Sequence, residues 1–573
     1  MKHLFAALLA IAVLPADAAP WRRQLPSGVT AVEATVTNPD GSVATVTLPQ
    51  VMATPAPNSQ SHSGGAQPSA DGTHTQPAAS GTDSGAKPFP TPTSLDTPIQ
   101  GDYTGFHRPQ VHYTPPIGYM GEPNAFIKDS TGTWHLFYQY NPTNASSGGE
   151  HWGHATTKDG YKWENQPVAL FPTEGETSVG TGCVVSDPSN SSGLFGNGTG
   201  ENLVAVYGTS SGVQLATSLD GQRFTPQGTT VAPERRDPRV VRYQDWWVMS
   251  VVYNGKVEIH TSTDLKTWTL SQEIPTGEVT SPLLTKVDDK WALIASNMTG
   301  PNVYWAGDFN GTVFAPESLT PKPMEWGPDG YGGAAFVDGN TTVYMTLAAN
   351  WAYADKVPTG DLEWWRGTMT VPRVLSMSNS SAGHVLAQEP LNPAPVIGSQ
   401  VATVVSDKGK IDYTFDGTAA TSRAMMVLLN ITNIEGATPD HSVNWTFYSA
   451  DKKEWLESGY KFDGTAWIRR GKVGPFKTEG YTEDITGMYK PEGNHMTVAA
   501  LVDRTILETY VDSGKAVATN LFYSNASLSQ VGLWADVPEG TNVEAHVFAL
   551  NSAWENTADH TSSSMSPAAS PTA

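Results

Sequence analysis

A turn that returns at a fixed interval constrains the fold of this chain more than any other feature. Asp220, Asp264 and Asp308 stand 44 residues apart, and each precedes an aromatic residue, Phe224, Trp268 and Phe314. Thr156-Thr-Lys-Asp159 before Trp163 repeats the device. An Asp side chain accepts hydrogen bonds from backbone amides just downstream, so it ends one strand and aims the next. Unrelated hairpins can share this chemistry, but they have no reason to share the spacing. A period of about 40–45 residues matches a four-stranded propeller blade. In a propeller the inner strands surround one axis, which lets carboxylates distant in sequence meet in a central funnel.

From about Thr104 to Met377 the chain reads as short strands between Gly, Asp, Asn and Pro turns. The expected propeller spans 96–377, followed by a connector over 378–403. Beyond it, evenly spaced strands without the blade device suit an antiparallel β-sandwich over 404–552: Met425–Ile431, Ser442–Tyr448, Ala466–Arg470, Met496–Val502, Thr505–Val511, Val531–Ala535 and Val543–Leu550. Residues 20–95 form an N-terminal extension. Its stretch from about Thr54 to Ser94 is Pro/Ser/Gly/Thr-rich and reads as a linker, while Val29–Val51 alternates around Asn38-Pro-Asp-Gly41 as a hairpin. The tail 553–573 is Ser/Thr/Pro-rich and reads as disordered.

Met1–Ala19 combines a basic start, an apolar run and Ala16-Asp-Ala18, the pattern of a cleaved secretory signal. Sequons at Asn144, Asn190, Asn197, Asn297, Asn310, Asn340, Asn379, Asn430, Asn444 and Asn525 agree with a secreted, extracellular glycoprotein. No later apolar run is long enough to span a bilayer. The formal charge of −22 argues against nucleic acid or an anionic membrane as partner, since phosphates demand Lys and Arg. Cys183 is the only cysteine, so no intramolecular disulfide forms and a Cys-based zinc site is excluded. Eighteen Trp and twenty Tyr suit sugar stacking, although filling β-sheet cores accounts for most of them.

Three acidic segments stand out. Glu122 lies in Gly118-Tyr-Met-Gly-Glu-Pro-Asn-Ala-Phe126, just before the aromatic strand Trp134-His-Leu-Phe-Tyr-Gln-Tyr-Asn-Pro142; Asp237 lies in Glu234-Arg-Arg-Asp-Pro-Arg239; Glu278 lies in Gly277-Glu-Val-Thr-Ser-Pro282. These segments, in this order, resemble glycoside hydrolase family 32, the invertases, inulinases and fructosyltransferases. The family's first signature, Trp-Met-Asn-Asp-Pro-Asn-Gly, supplies the nucleophile; Arg-Asp-Pro grips the fructosyl ring; Glu-Cys-Pro carries the acid/base. The resemblance extends to His151-Trp-Gly-His-Ala155, Trp305-Ala-Gly-Asp-Phe-Asn-Gly311, Asn350-Trp-Ala-Tyr353, Trp365-Arg-Gly367 and Val502-Asp-Arg-Thr-Ile-Leu-Glu-Thr-Tyr-Val511. It implies an all-β fold, a five-bladed β-propeller followed by a β-sandwich.

The resemblance implies a retaining β-fructofuranosidase acting on sucrose or a fructan, with Glu122 as nucleophile, Asp237 as ring stabiliser and Glu278 as acid/base, and it implies no metal or organic cofactor. Retention needs two carboxyls about 5–5.5 Å apart, and the acid's pKa must be raised by burial or by a neighbouring carboxylate. Asn124, Gln139, Trp152, Thr181, Arg236 and Trp351 are the expected substrate contacts. Departures cluster here: Gly121-Glu122 replaces Asn-Asp, Ala125 replaces Gly, and Gly180-Thr-Gly-Cys183 replaces Phe-Ser-Gly-Ser. Either Gly121 and Gly180 make room for the longer nucleophile, or selection on the site has relaxed. A glycan-binding protein on a hydrolase scaffold and a fructosyltransferase are the alternative functions.

Expression in a eukaryotic host should put the protein in the medium with its N-terminus near Pro20 and with a mass that falls on deglycosylation. A cell-retained, unglycosylated chain beginning at Met1 would exclude the secretory reading.

Overall fold

The turns expected from sequence do set the strands. Asp159 Oδ1 accepts from the amides of Tyr161 and Lys162, Asp220 Oδ1 from that of Gln222, and Asp264 Oδ1 from those of Lys266 and Thr267. The aromatic side chains that follow, Trp163 and Phe224, are buried. Asp308 departs from the pattern: it lies inside the strand Val303–Phe309 and pairs with Lys290, while Asn310 Oδ1 makes the turn by accepting from the amides of Thr312 and Val313. A longer connection between the second and third strands of that blade displaces its turn from the 44-residue register.

The computed structural model describes residues 29–37, 43–51, 89–297, 300–380, 383–417 and 420–554, the first two ranges by their backbone only. The signal segment, most of the linker and the tail beyond 554 lie outside the described residues. Five antiparallel blades surround an axis. Blade one is Gly118–Lys128, Trp134–Asn141, His151–Thr157 and Trp163–Asn165; blade two is Gly182–Ser186, Leu203–Thr209, Gly212–Ser218 and Thr225–Pro233. Blade three is Arg236–Tyr243, Trp246–Tyr253, Lys256–Ser262 and Thr269–Ile274, and blade four is Val279–Val287, Lys290–Asn297, Val303–Phe309 and Phe314–Pro316. Blade five is Gly330–Asp338, Thr341–Ala348, Arg373–Ser380 and Gly383–Pro390.

The wedge between each pair of neighbouring blades holds its own apolar cluster, for example Ala125, Phe137, Val184, Ala205 and Phe224 between blades one and two. The strand Trp365–Arg366 closes the ring by pairing in parallel with Gly118 and Tyr119 of blade one. The expected connector over 378–403 is largely structured. Its first part completes blade five, and Ile397–Ser406 is already a sandwich strand.

Every expected sandwich strand falls within an observed one, apart from Thr505 at one strand's edge. Two sheets enclose one apolar core. The larger sheet runs Val29–Thr37, Val43–Val51, Ile397–Ser406, Asn542–Leu550, Ala424–Thr432, His495–Asp503, Ile506–Val511 and Ala516–Leu521. Its first two strands are the expected hairpin, which joins the edge through Thr45↔Val405 and Val46↔Val404. The smaller sheet runs Lys410–Asp416, Leu528–Asp536, Ser442–Ser449, Trp455–Lys461, Thr465–Lys472 and Asp484–Met488.

A buried charge network fastens the sandwich to the propeller. His112, just before blade one, bonds Asp503 through Nδ1 (2.9 Å) and Glu508 through Nε2 (3.1 Å). Arg373 of blade five bridges Glu508 (3.0 Å) and Glu325 (2.6 Å), and Arg470 of the sandwich meets Asp329 at 2.6 Å. Burial opposes charge on His112, but the bonds to Asp503 and Glu508 prevail and hold its pKa up to about 9. Burial likewise opposes charge on Glu508, yet Arg373 and His112 bring its pKa down to about 2; Asp503 is lowered as well.

The signs define a stability window. The depressed acids stabilise the fold above their ordinary pKa near 4 and cease to as pH falls below it; His112 stabilises below its ordinary 6.5 and ceases to as pH climbs through about 9. Thermal stability should therefore peak between about pH 4.5 and 6.5. Arg373→Met should cost about 3–5 kcal/mol in denaturant unfolding, because it strands the buried Glu325 carboxylate and leaves Glu508 with His112 as its one cation. A melting temperature flat from pH 4 to 9 would contradict the network's role.

Candidate active site

Four of the five inner strands break register close to their start: between Met120 and Pro123, Arg236 and Arg239, Thr280 and Leu283, and Tyr331 and Ala334. Such bulges re-aim side chains, and here they point Glu122, Asp237 and Ser281 toward the axis, with Gly332 beside them. Asp237, Ser281 and Gly332 have φ of +57°, +50° and +65°. For the first two this costs on the order of 1 kcal/mol or more, which the packed ring sustains.

Glu122 is 7% exposed. Its Oε2 accepts from Ser281 Oγ at 2.6 Å and stands 3.5 Å from Arg239 NH2. Burial raises its pKa to about 7; Arg239 and Ser281 pull down, and Asp237 adds a like charge. Gly332 makes the room for it, since a Cβ there would lie 2.5 Å from Glu122 Cβ and 2.6 Å from Oε2. Neither glycine singled out from the sequence does so. A Cβ at Gly121 would meet Gln139 Cβ at 2.9 Å, and one at Gly180 would meet the Gly208 carbonyl at 2.8 Å.

Asp237 accepts from Thr181 Oγ1 at 2.6 Å on one oxygen and from Arg236 at 3.0 Å on the other. Thr181 and Arg236 thus stand against Asp237. Arg239 is buried and donates to the carbonyls of Asn124 and Pro123, fixing the segment that carries Glu122. Asn124 Oδ1 accepts from Gln139 Nε2 and from the Gly182 amide, while its buried Nδ2 has no partner among the described residues. Trp351, 39% exposed, packs edge-on against Tyr331, whose hydroxyl bonds Thr280 Oγ1 at 2.8 Å. Both aromatics line a cavity of about 310 Å³ with Asn297 and Asn350.

Two expectations change. Trp152 is no pocket wall: it is fully buried between blades one and two, and its indole N–H donates to the Gly180 carbonyl. Glu278 lies outside the buried cluster. It is exposed, makes no hydrogen bond or ion pair among the described residues, and its Oε1 stands 3.1 Å from where a Cβ on Gly255 would be. Residue 44 after Asp237 is Ser281, which holds the same place in blade four that Asp237 holds in blade three. That interval was the signal available for Ser281. For Arg239, Tyr331 and Gly332 the sequence offered only proximity to a motif or a Gly pair. Among the described residues no cluster of His, Cys, Asp or Glu is arranged to hold a metal ion.

Residues 112–390 match the model of the glycosyl hydrolases family 32 N-terminal domain, and residues 440–549 match that of its C-terminal domain. An invertase of Schizosaccharomyces pombe is 30% identical over 489 residues, covering 74% of this chain and 81% of the relative. A levanase of Bacillus subtilis is 28% identical, covering 77% of this chain and 70% of its own. The solved exo-inulinase of Aspergillus awamori superposes with a TM-score of 0.70 at 25% identity, over 79% of this chain and all of that one. The fructofuranosidase of Schwanniomyces occidentalis in complex with fructose gives 0.69 at 24% identity, over 78% and 99%.

If Gly332 makes the room for Glu122, Gly332→Ala should lower turnover at least ~100-fold with the fold retained by circular dichroism. Gly121→Asn, alone or with Glu122→Asp, should not raise activity, because the added side chain meets Gln139. Gain of activity in either Gly121 variant would mean that the site is a decayed version of the family loop.

Proposed function

The chain belongs to glycosyl hydrolase family 32 and is a hydrolase of β-fructofuranosidic bonds; on that premise we propose that Glu122 is its nucleophile, Asp237 its ring clamp and Glu278 its acid/base. The observation that carries the Glu122 and Asp237 assignments is their convergence with Ser281 and Arg239 from three blades on one buried point, while that of Glu278 rests on its motif. Glu122 attacks the anomeric carbon, and the glycosidic oxygen leaves with a proton. Water then displaces Glu122 from the covalent fructosyl intermediate. Ser281 and Arg239 hold Oε2, which leaves Oε1 for the attack. Asp237, an acceptor fixed by Thr181 and Arg236, suits two adjacent sugar hydroxyls, and the unpartnered Asn124 Nδ2 suits a third.

The fructosyl ring fills the buried end of the funnel, so its leaving group projects toward the mouth. Glu278 precedes the inner strand of blade four at that end, and a substrate seated there buries its carboxyl. The Trp351–Tyr331 cavity stands on the same side and accommodates the rest of a sucrose or fructan. Secretion of the enzyme agrees with the extracellular exo-inulinases among its relatives.

Purified protein should release free fructose from sucrose, inulin or levan. Longer oligosaccharides would mean transfer, and binding without turnover would mean a lectin-like protein. Glu122→Gln and Asp237→Asn should each lose most activity, and their losses should not add. Glu278→Gln should lose about 10²–10⁴-fold on sucrose but far less on a fructoside whose leaving group needs no proton. Because Glu122 must be ionised to attack, kcat/KM should climb with pH through about 7. Ser281→Ala, which removes a hydrogen bond to the ionised form, should move that limb upward. An unchanged limb in Ser281→Ala would sink the assignment of Glu122.

A further inference from the structure

The outer face of the smaller sandwich sheet holds a cleft of about 260 Å³ lined by Asp412, Asn444, Thr446, Tyr448, Glu457 and Trp534, among others. Alternation along Ser442–Ser449 sends Trp445 and Phe447 into the core and leaves Asn444 and Thr446 on this face. Register places Trp534 directly opposite Asn444 on one neighbouring strand and Gly459 directly opposite it on the other. Gly459 in turn faces Trp467, whose indole lies over the glycine where any Cβ would collide with it. Asn444 therefore stands between two indoles. Trp467 is buried and held by its N–H bond to Glu457 at 2.8 Å, whereas Trp534 is 39% exposed.

Asn444-Trp445-Thr446 is a sequon, and its setting differs from that of others in the chain. The side chains of Asn190, Asn310 and Asn430 hydrogen-bond to Phe195, Thr312 and Glu544. Among the described residues no hydrogen bond engages the Asn444 side chain, nor those of Asn144, Asn197, Asn340 and Asn525; Asn444 is set apart by the exposed indole opposite it. An exposed indole directly across from it is costly in water and offers a flat apolar surface to the C–H face of a pyranose.

We propose that Asn444 carries an N-linked glycan whose first N-acetylglucosamine packs on the exposed Trp534 indole directly across from it. Asn444 Nδ2 displaces the diphosphate of a polyprenyl-diphosphate oligosaccharide at the anomeric carbon of that sugar, and one amide proton is lost. The C–H face and acetamide methyl cover the Trp534 indole, while the hydroxyls meet Asp412, which the register sets beside Trp534. The sugar becomes part of the sandwich surface, and the role is independent of the active site.

The test uses the full chain secreted from a eukaryotic host, with Thr446→Ala, Trp534→Ala and the double variant. Peptide mass spectrometry should find Asn444 occupied. An endoglycosidase that leaves one N-acetylglucosamine should leave the melting temperature unchanged, whereas Thr446→Ala should lower it by about 2–4 °C. Trp534→Ala should lower it similarly in the glycosylated protein and add nothing in the Thr446→Ala background. An unoccupied Asn444, or losses that simply add, would overturn the proposal. So would binding of free inulin oligosaccharides to the Thr446→Ala protein that Trp534→Ala abolishes, which would make the cleft a seat for free sugar.

Discussion

The site depends on ring closure. Five inner strands, from Gly118–Lys128 to Gly330–Asp338, surround one axis, and each gap between blades must be filled by side chains from both neighbours. No disulfide holds the ring, since Cys183 is alone. Trp365–Arg366 closes it by pairing with blade one, and the Arg366 guanidinium bonds the carbonyls of Val357 and Ala145. Only in the closed ring does Glu122 of blade one meet Ser281 of blade four, Arg239 of blade three and Gly332 of blade five.

Two buried acids show how the same physics yields opposite results. Glu508 and Glu122 both lose solvation on folding. Glu508 gains Arg373 and His112 at bonding distance and ionises more readily than in water. Glu122 gains one hydroxyl and a guanidinium at 3.5 Å, with Asp237 nearby, and becomes harder to ionise. The first arrangement joins two domains; the second leaves a protonatable carboxyl at the axis. The difference lies in the number of charged partners each acid meets at bonding distance.

Much of this was legible along the chain. The Asp turns at 159, 220 and 264 and their aromatic partners mark blade edges because turn and strand preferences act over a few residues. Glu122 and Asp237 could be found from local motifs, as could Thr181 and Arg236 beside them. Asp308 shows the limit, for it keeps the spacing while Asn310 makes the turn. Trp152 shows another: an aromatic beside a motif is equally a core residue until its neighbours are known.

The sequence by itself determined the period, the strands and the segments that carry Glu122 and Asp237, because these follow from short-range chemistry written in consecutive residues. Tertiary structure decided which groups meet. Gly332 rather than Gly121 or Gly180 yields space to Glu122, Ser281 bonds it while Glu278 stays exposed outside the cluster, and the strands Val29–Thr37 and Val43–Val51 become an edge of the sandwich. Those outcomes depend on register shifts and on the packing of blades far apart in sequence. Burial, and with it the raised pKa of Glu122, exists only once the ring has closed around it.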